Sequence, residues 1–135
     1  MKRIVLAFVV SLIIYTMANF VIHAVLLQPL YRQNPQLLRT PQDGAAHMPF
    51  LLLSFVIFTL AFVWIYAQGV EAKGWLGQGL RYGLAIWLIA TVSRYLIYYA
   101  IQPWPGSVVA AQIGLELIAT LLVSIVLAAM YRKPS

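Results

Sequence analysis

Arg94 and Glu116 are the residues of this chain best placed to do chemistry, because each stands inside a stretch of about twenty apolar residues. A charge at bilayer depth costs about 2.5–3.5 kcal/mol on insertion scales, so it persists only where a partner or a water-filled cavity compensates it. Arg94 lies shortly before the expected end of one apolar segment, and Glu116 shortly after the start of the next. At a rise of 1.5 Å per residue, both fall about 10–14 Å below the same edge. The spacing therefore predicts an intramembrane ion pair across a tight helical hairpin. Such a pair can fix helix register, or it can form the charged part of a polar pocket or relay.

Other polar residues fall at the same level. Asn19 and His23 are one helical turn apart, Tyr98 follows Arg94 by one turn, and Gln112 precedes Glu116 by one turn. Residues four apart share a helix face. This predicts a pocket in the outer half of the bundle lined by Asn19, His23, Arg94, Tyr98, Gln112 and Glu116. The plainer alternative for His23 is a single hydrogen bond to a neighbouring helix. His47 stands near the same edge, so two histidines invite comparison with a b-type haem or a metal site. A metal needs more ligands than two, and the spacing carries no signature; no metal and no cofactor are expected. The chain also has no Ser-His-Asp set and no phosphate-cradling glycine loop. A carboxylate paired with Arg94 stays ionised and is a poor base. The expectation is that this is not an enzyme.

The elements that must position these residues are four apolar segments, about 4–27, 49–67, 78–101 and 107–130, each long enough to cross about 30 Å of hydrocarbon. Pro49 suits the first turn of the second segment. Gln28-Pro29 ends the first, Gln68-Gly69 the second, and Gln102-Pro103-Trp104-Pro105-Gly106 makes the corner between the third and fourth. The predicted fold is all-α: a single four-helix membrane domain over residues 1–135, with the helices in an antiparallel bundle. The outer loop, 28–48, carries prolines that argue against a long helix there, and Asn34 to Leu38 has room for one amphipathic turn. The apolar run after Met1-Lys2-Arg3 exceeds the 7–15 residues of a signal-peptide core, so it reads as a retained helix.

Composition agrees. Of 135 residues, 63% are hydrophobic and only 9% charged, against about 25% charged in an ordinary soluble domain. There is no cysteine, which removes disulfide and thiolate chemistry. The net charge of +6 does not point to nucleic acid, because the basic residues sit at segment ends and read as topology signals and contacts to lipid headgroups. Lys2, Arg3, Lys73, Arg81, Arg132 and Lys133 fall on one side, Arg32 and Arg39 on the other. By the positive-inside rule both termini are cytoplasmic. Trp64, Tyr66, Trp75 and Tyr131 are expected at the inner interface, and Tyr31, Phe50, Tyr99 and Trp104 at the outer one. Gly79 and Gly83 form a Gly-x-x-x-Gly step that permits close helix approach, within the chain or in a homodimer, and Gly114 is a candidate for the same use.

Five stretches carry a resemblance: Asn19-Phe20-Val21-Ile22-His23; Leu26-Leu27-Gln28-Pro29-Leu30-Tyr31; Phe62-Val63-Trp64-Ile65-Tyr66; Lys73-Gly74-Trp75-Leu76-Gly77-Gln78-Gly79-Leu80-Arg81-Tyr82-Gly83; and Tyr95-Leu96-Ile97-Tyr98-Tyr99-Ala100-Ile101-Gln102-Pro103. Together the chain resembles a group of small four-helix proteobacterial inner-membrane proteins of unassigned function. The resemblance implies architecture and a multi-pass location in the bacterial inner membrane; it implies no activity. From the residues, the expected role is that of a non-enzymatic accessory protein binding lipid or another membrane protein. A subunit transporting a small solute or ion is the alternative, and a haem- or quinone-binding protein a more remote one.

Overall fold

A computed structural model describes residues 1–132; Lys133, counted above among the inner-side charges, lies outside the described residues. Among these the chain is helical, with no strand. Four helices are long and apolar enough to cross a membrane: α1 (Lys2–Leu26), α3 (Pro41–Gly69), α4 (Trp75–Ile101) and α5 (Gly106–Tyr131), of 25, 29, 27 and 26 residues. At 1.5 Å per residue they are about 37–44 Å long. A short helix, α2 (Gln28–Arg32), and a 3₁₀ turn (Pro35–Leu37) occupy the connection from α1 to α3.

Unlike a water-soluble bundle, this one exposes large apolar side chains and buries polar ones beside its apolar core. Ser11, Thr59, Thr120, Ser124, Gln112 and Glu116 are buried, while Val5, Leu6, Ile13, Phe50, Leu52, Ile57, Ile89 and Ile118 are exposed. Hydrocarbon gives no hydrophobic drive for helix association, so small residues and interhelical hydrogen bonds bring helices together while leucines and isoleucines face lipid. One apolar cluster gathers Ala7, Phe62, Val63, Tyr66, Val123, Leu127, Ala128 and Tyr131 from α1, α3 and α5. Tyr66 and Tyr131, expected from the sequence at the inner interface, are buried in this cluster, where their rings meet edge to face at 5.7 Å. Arg3 closes this end of the bundle by donating from Nη2 to the Met130 carbonyl at 2.7 Å.

The α4–α5 contact is the tightest. Gly79 and Gly83 are both buried, and a Cβ on Gly79 would lie 2.7 Å from the Ala128 Cβ. Ser124 Oγ donates to the Gly79 carbonyl at 2.7 Å, and Trp87 Nε1 donates to the Ile113 carbonyl at 2.9 Å. These glycines thus pack on α5 of their own chain, the first of the two uses their spacing allows. Gly114 has no neighbour within 4 Å of a Cβ built there and takes no part in this contact.

The outer connection also departs from expectation. The α3 helix starts at Pro41, not Pro49. Thr40 Oγ1 accepts from the Asp43 N–H at 3.3 Å, which caps the helix, and Pro41 occupies the first turn where its missing N–H costs nothing. Pro49 is then an interior proline, which removes one hydrogen bond to the turn before it. Arg39 and Asp43 pair at 2.7 Å, and His47 contacts Asp43 Oδ1 at 3.2 Å. Likewise Gln28-Pro29 opens α2 instead of only ending α1, with the proline in its first turn.

Candidate functional site

Two of the long helices contain a π segment, Val21–Leu26 in α1 and Leu88–Val92 in α4. A π turn bonds i to i+5 and widens the helix by one residue, and such turns concentrate at functional sites. The Leu27 N–H accordingly bonds the Ile22 carbonyl at 2.8 Å. His23 lies in the first π segment and Thr91 in the second, with Tyr95 one turn beyond Thr91. All three point at Glu116 of α5.

The Glu116 side chain is 6% exposed. Its Oε1 accepts from the Tyr95 hydroxyl at 2.6 Å and lies 3.2 Å from His23 Nε2; its Oε2 accepts from Thr91 Oγ1 at 3.1 Å. Arg94 Nη2 stands 3.6 Å from Oε2, and the Arg94 side chain is 64% exposed. Arg94 and Glu116 therefore come together, but Arg94 is the loosest of the groups around the carboxylate. Hydrogen bonds from Tyr95, Thr91 and His23 bind the charge; the guanidinium supplies attraction from the rim and lies 5.3 Å from the centroid of the Tyr95 ring.

The network extends outward from His23. Its Nδ1 lies 2.6 Å from the Tyr31 hydroxyl, and Gln112 Nε2 donates to the same hydroxyl at 3.1 Å. The hydroxyl has one proton to give. The Glu116 carboxylate only accepts, so the His23 ring proton it shares sits on Nε2; in the singly protonated ring Nδ1 then accepts from the Tyr31 hydroxyl, which also receives from Gln112. The network thus assigns the proton on His23 Nε2. Burial pushes the Tyr31 hydroxyl above the usual tyrosine range, which keeps it a neutral donor. One directed chain thus runs from Gln112 through Tyr31 and His23 to Glu116, tying α5, α2 and α1 together.

Above this network is a pocket of about 420 Å³, lined by His23, Tyr31, Leu38, Arg94, Tyr95, Tyr98, Trp104 and Gln112. Its walls are aromatic: Tyr98 stacks on Trp104 at 5.9 Å, and Tyr31 meets Trp104 edge-on at 5.9 Å. Gln112 is 4% exposed, and its Oε1 has no hydrogen-bond partner.

Of the residues expected at this pocket, His23, Arg94, Tyr98 and Gln112 line it and Glu116 lies beneath it. Asn19 does not take part: its Nδ2 donates to the Tyr15 carbonyl one turn back, at 2.9 Å. The π segment begins between Asn19 and His23, and the wider turn breaks the shared face that ordinary α spacing predicts. Ser93 likewise bonds its own helix, at the Ile89 carbonyl. Thr91, Tyr95, Tyr31 and Trp104 were missed. Thr91, Tyr95 and Tyr98 recur at i, i+4 and i+7, which is a readable helix face. Nothing in the sequence links Tyr31 to His23. Among the described residues no group of three His, Cys, Asp or Glu is placed to hold a metal. No protein-family model, curated protein or solved structure matches this chain.

Proposed function

We propose that this chain is a multi-pass protein of the bacterial inner membrane, an antiparallel bundle with both termini cytoplasmic, that holds the head of a membrane amphiphile in its outer-half pocket and catalyses no reaction itself. What carries this reading is the placement of the pocket: it opens beside Trp104, in the corner between α4 and α5, and beside Leu38 of the outer connection. In a bilayer those segments lie at headgroup level, where tyrosine and tryptophan are favoured. Its volume falls within the range of small-ligand sites, and apolar walls with a few convergent polar groups are the usual composition of such sites. Lys2, Arg3, Lys73, Arg81 and Arg132 support the orientation through the positive-inside rule. The carboxylate already holds three donors, which disfavours exchange of protons for cations and so weighs against transport.

The test is mass spectrometry of protein released from gently solubilised membranes. Wild-type protein is expected to retain a lipid-derived amphiphile. Trp104→Ala, which removes a wall, and Leu38→Trp, which fills the mouth from an exposed loop position, are both expected to lower retention about tenfold, or about 1.4 kcal/mol. Equal retention by wild type and the mouth-filling variant would overturn the reading.

A further inference from the structure

The donors left uncommitted in the outer pocket define the chemistry it takes. Much of its polar lining is already paired. With the His23 proton on Nε2, the Tyr31 hydroxyl donates to His23, and His23 and Tyr95 both donate to Glu116. Two lining residues keep protons that, among the described residues, meet no acceptor. One is Tyr98, whose hydroxyl proton enters no hydrogen bond. The other is Arg94, whose guanidinium makes no hydrogen bond and has one charged neighbour, Glu116 Oε2 at 3.6 Å. Arg94 and Tyr98 stand one turn apart on α4, on a shared face. A ring positions the guanidinium, which lies 5.3 Å from the Tyr95 centroid.

The two charges are unequally placed. The Glu116 side chain is 6% exposed and the Arg94 side chain 64%. The pocket therefore meets positive charge and open N–H donors, while the carboxylate beneath it is sealed and hydrogen-bonded. An occupant that brings acceptors is favoured, and an anionic one most, since hydrogen bonds between ionised groups are roughly twice as strong as neutral ones. A planar carboxylate lies in the plane of the guanidinium fork and spends both oxygens there. A tetrahedral phosphate fills the same fork and turns further oxygen toward the Tyr98 hydroxyl.

We propose that the pocket seats the phosphate of a phospholipid between Arg94 and Tyr98. This rests on the amphiphile-binding reading above and deepens it by naming the group that is held. Arg94 then serves the ligand more than the fold, which accounts for its loose place at the rim of the Glu116 cluster.

The experiment offers the full chain, in phosphate-free maltoside micelles, phosphatidic acid, phosphatidylglycerol, diacylglycerol or a fatty acid, with matched acyl chains. Native mass spectrometry reads the retained lipid, and only lipid lost in Leu38→Trp counts as pocket lipid. Both phospholipids are expected to be retained about tenfold over diacylglycerol and over the fatty acid. Arg94→Gln is expected to bring phospholipid and diacylglycerol to near parity while thermal unfolding shifts little. Tyr98→Phe is expected to lower phospholipid retention about threefold, the worth of one hydrogen bond. Wild-type parity between phospholipid and diacylglycerol, equal retention of the fatty acid, or a phospholipid preference that survives Arg94→Gln overturns the phosphate assignment and leaves the pocket standing. Displacement of the bound phospholipid by inorganic phosphate overturns its lipid source. Absence of any lipid sensitive to Leu38→Trp overturns the pocket reading itself.

Discussion

Glu116→Leu is expected to lower the unfolding free energy by about 2–5 kcal/mol, whereas Arg94→Leu lowers it by less than about 1 kcal/mol. The asymmetry comes from who holds the charge. Removing the carboxylate strands the Tyr95 hydroxyl, the Thr91 hydroxyl and His23 Nε2, which converge on it from α4 and α1. At the roughly 0.6 kcal/mol average for interhelical hydrogen bonds in membranes, three bonds already account for the lower bound. The upper bound is the cost of breaking a buried charged cluster from one side. Removing Arg94 takes away a contact at 3.6 Å from a side chain 64% exposed, and Glu116 keeps its hydrogen bonds. Adding Arg94→Leu to Glu116→Leu is expected to recover little. Reversible unfolding in mixed micelles measures all three variants. Equal losses from the two single changes, with recovery in the double, would mean that the ion pair and not the hydrogen-bonded cluster holds these helices.

A second large effect is expected at the α4–α5 contact. Gly79→Val and Gly83→Val should each abolish well-folded protein or destabilise it by at least the 1–3 kcal/mol typical of overpacking. A Cβ on Gly79 would lie 2.7 Å from the Ala128 Cβ and 3.1 Å from the Ser124 carbonyl oxygen; one on Gly83 would lie 3.1 Å from the Ser124 Cβ. At Gly79 the obstacle includes backbone of Ser124 and Ile125, which cannot yield as a flexible side chain can; at Gly83 it is the Ser124 and Leu121 side chains. The helices must separate, the Ser124–Gly79 hydrogen bond breaks, and Thr91 and Tyr95 are drawn away from Glu116. Gly114→Ala is the control: nothing stands within 4 Å of a Cβ there, so the change is expected to be neutral or to gain up to about 1 kcal/mol of helix propensity. Thermal unfolding with size-exclusion profiles distinguishes the outcomes. Loss of a dimer with undiminished monomer stability would place the glycines on an intermolecular seam.

The four long helices were readable because an uninterrupted apolar run leaves the backbone no other way to pair its polar groups in lipid. The start of α3 was missed, since Pro49 reads as a beginning as readily as Pro41 does. The cap Thr40-Pro41-Gln42-Asp43 distinguishes them and is a readable start pattern, but the apolar run that set the expected boundary begins only near Pro49. For Arg94, Glu116, His23 and Gln112, depth along the helices was enough to bring them to one level. The Arg94–Glu116 pair was legible because opposite charge is conspicuous in a sequence, while the hydroxyls of Thr91 and Tyr95 pass for ordinary membrane-helix residues. Asn19 was misplaced because a π turn leaves no compositional trace. Tyr31 was read as an interfacial aromatic; α2 folds it back over His23, a tertiary effect that no local spacing encodes.

The chain has two histidines, so solid-state ¹⁵N and ¹³C NMR of histidine- and glutamate-labelled protein in bilayers, with His47→Gln for assignment, addresses the Glu116 cluster directly. The account predicts a His23 proton on Nε2 and magnetisation transfer from Nε2 to the Glu116 carboxyl carbon that survives Arg94→Leu. A His23 protonated on Nδ1 alone, or one without transfer to Glu116, would contradict it.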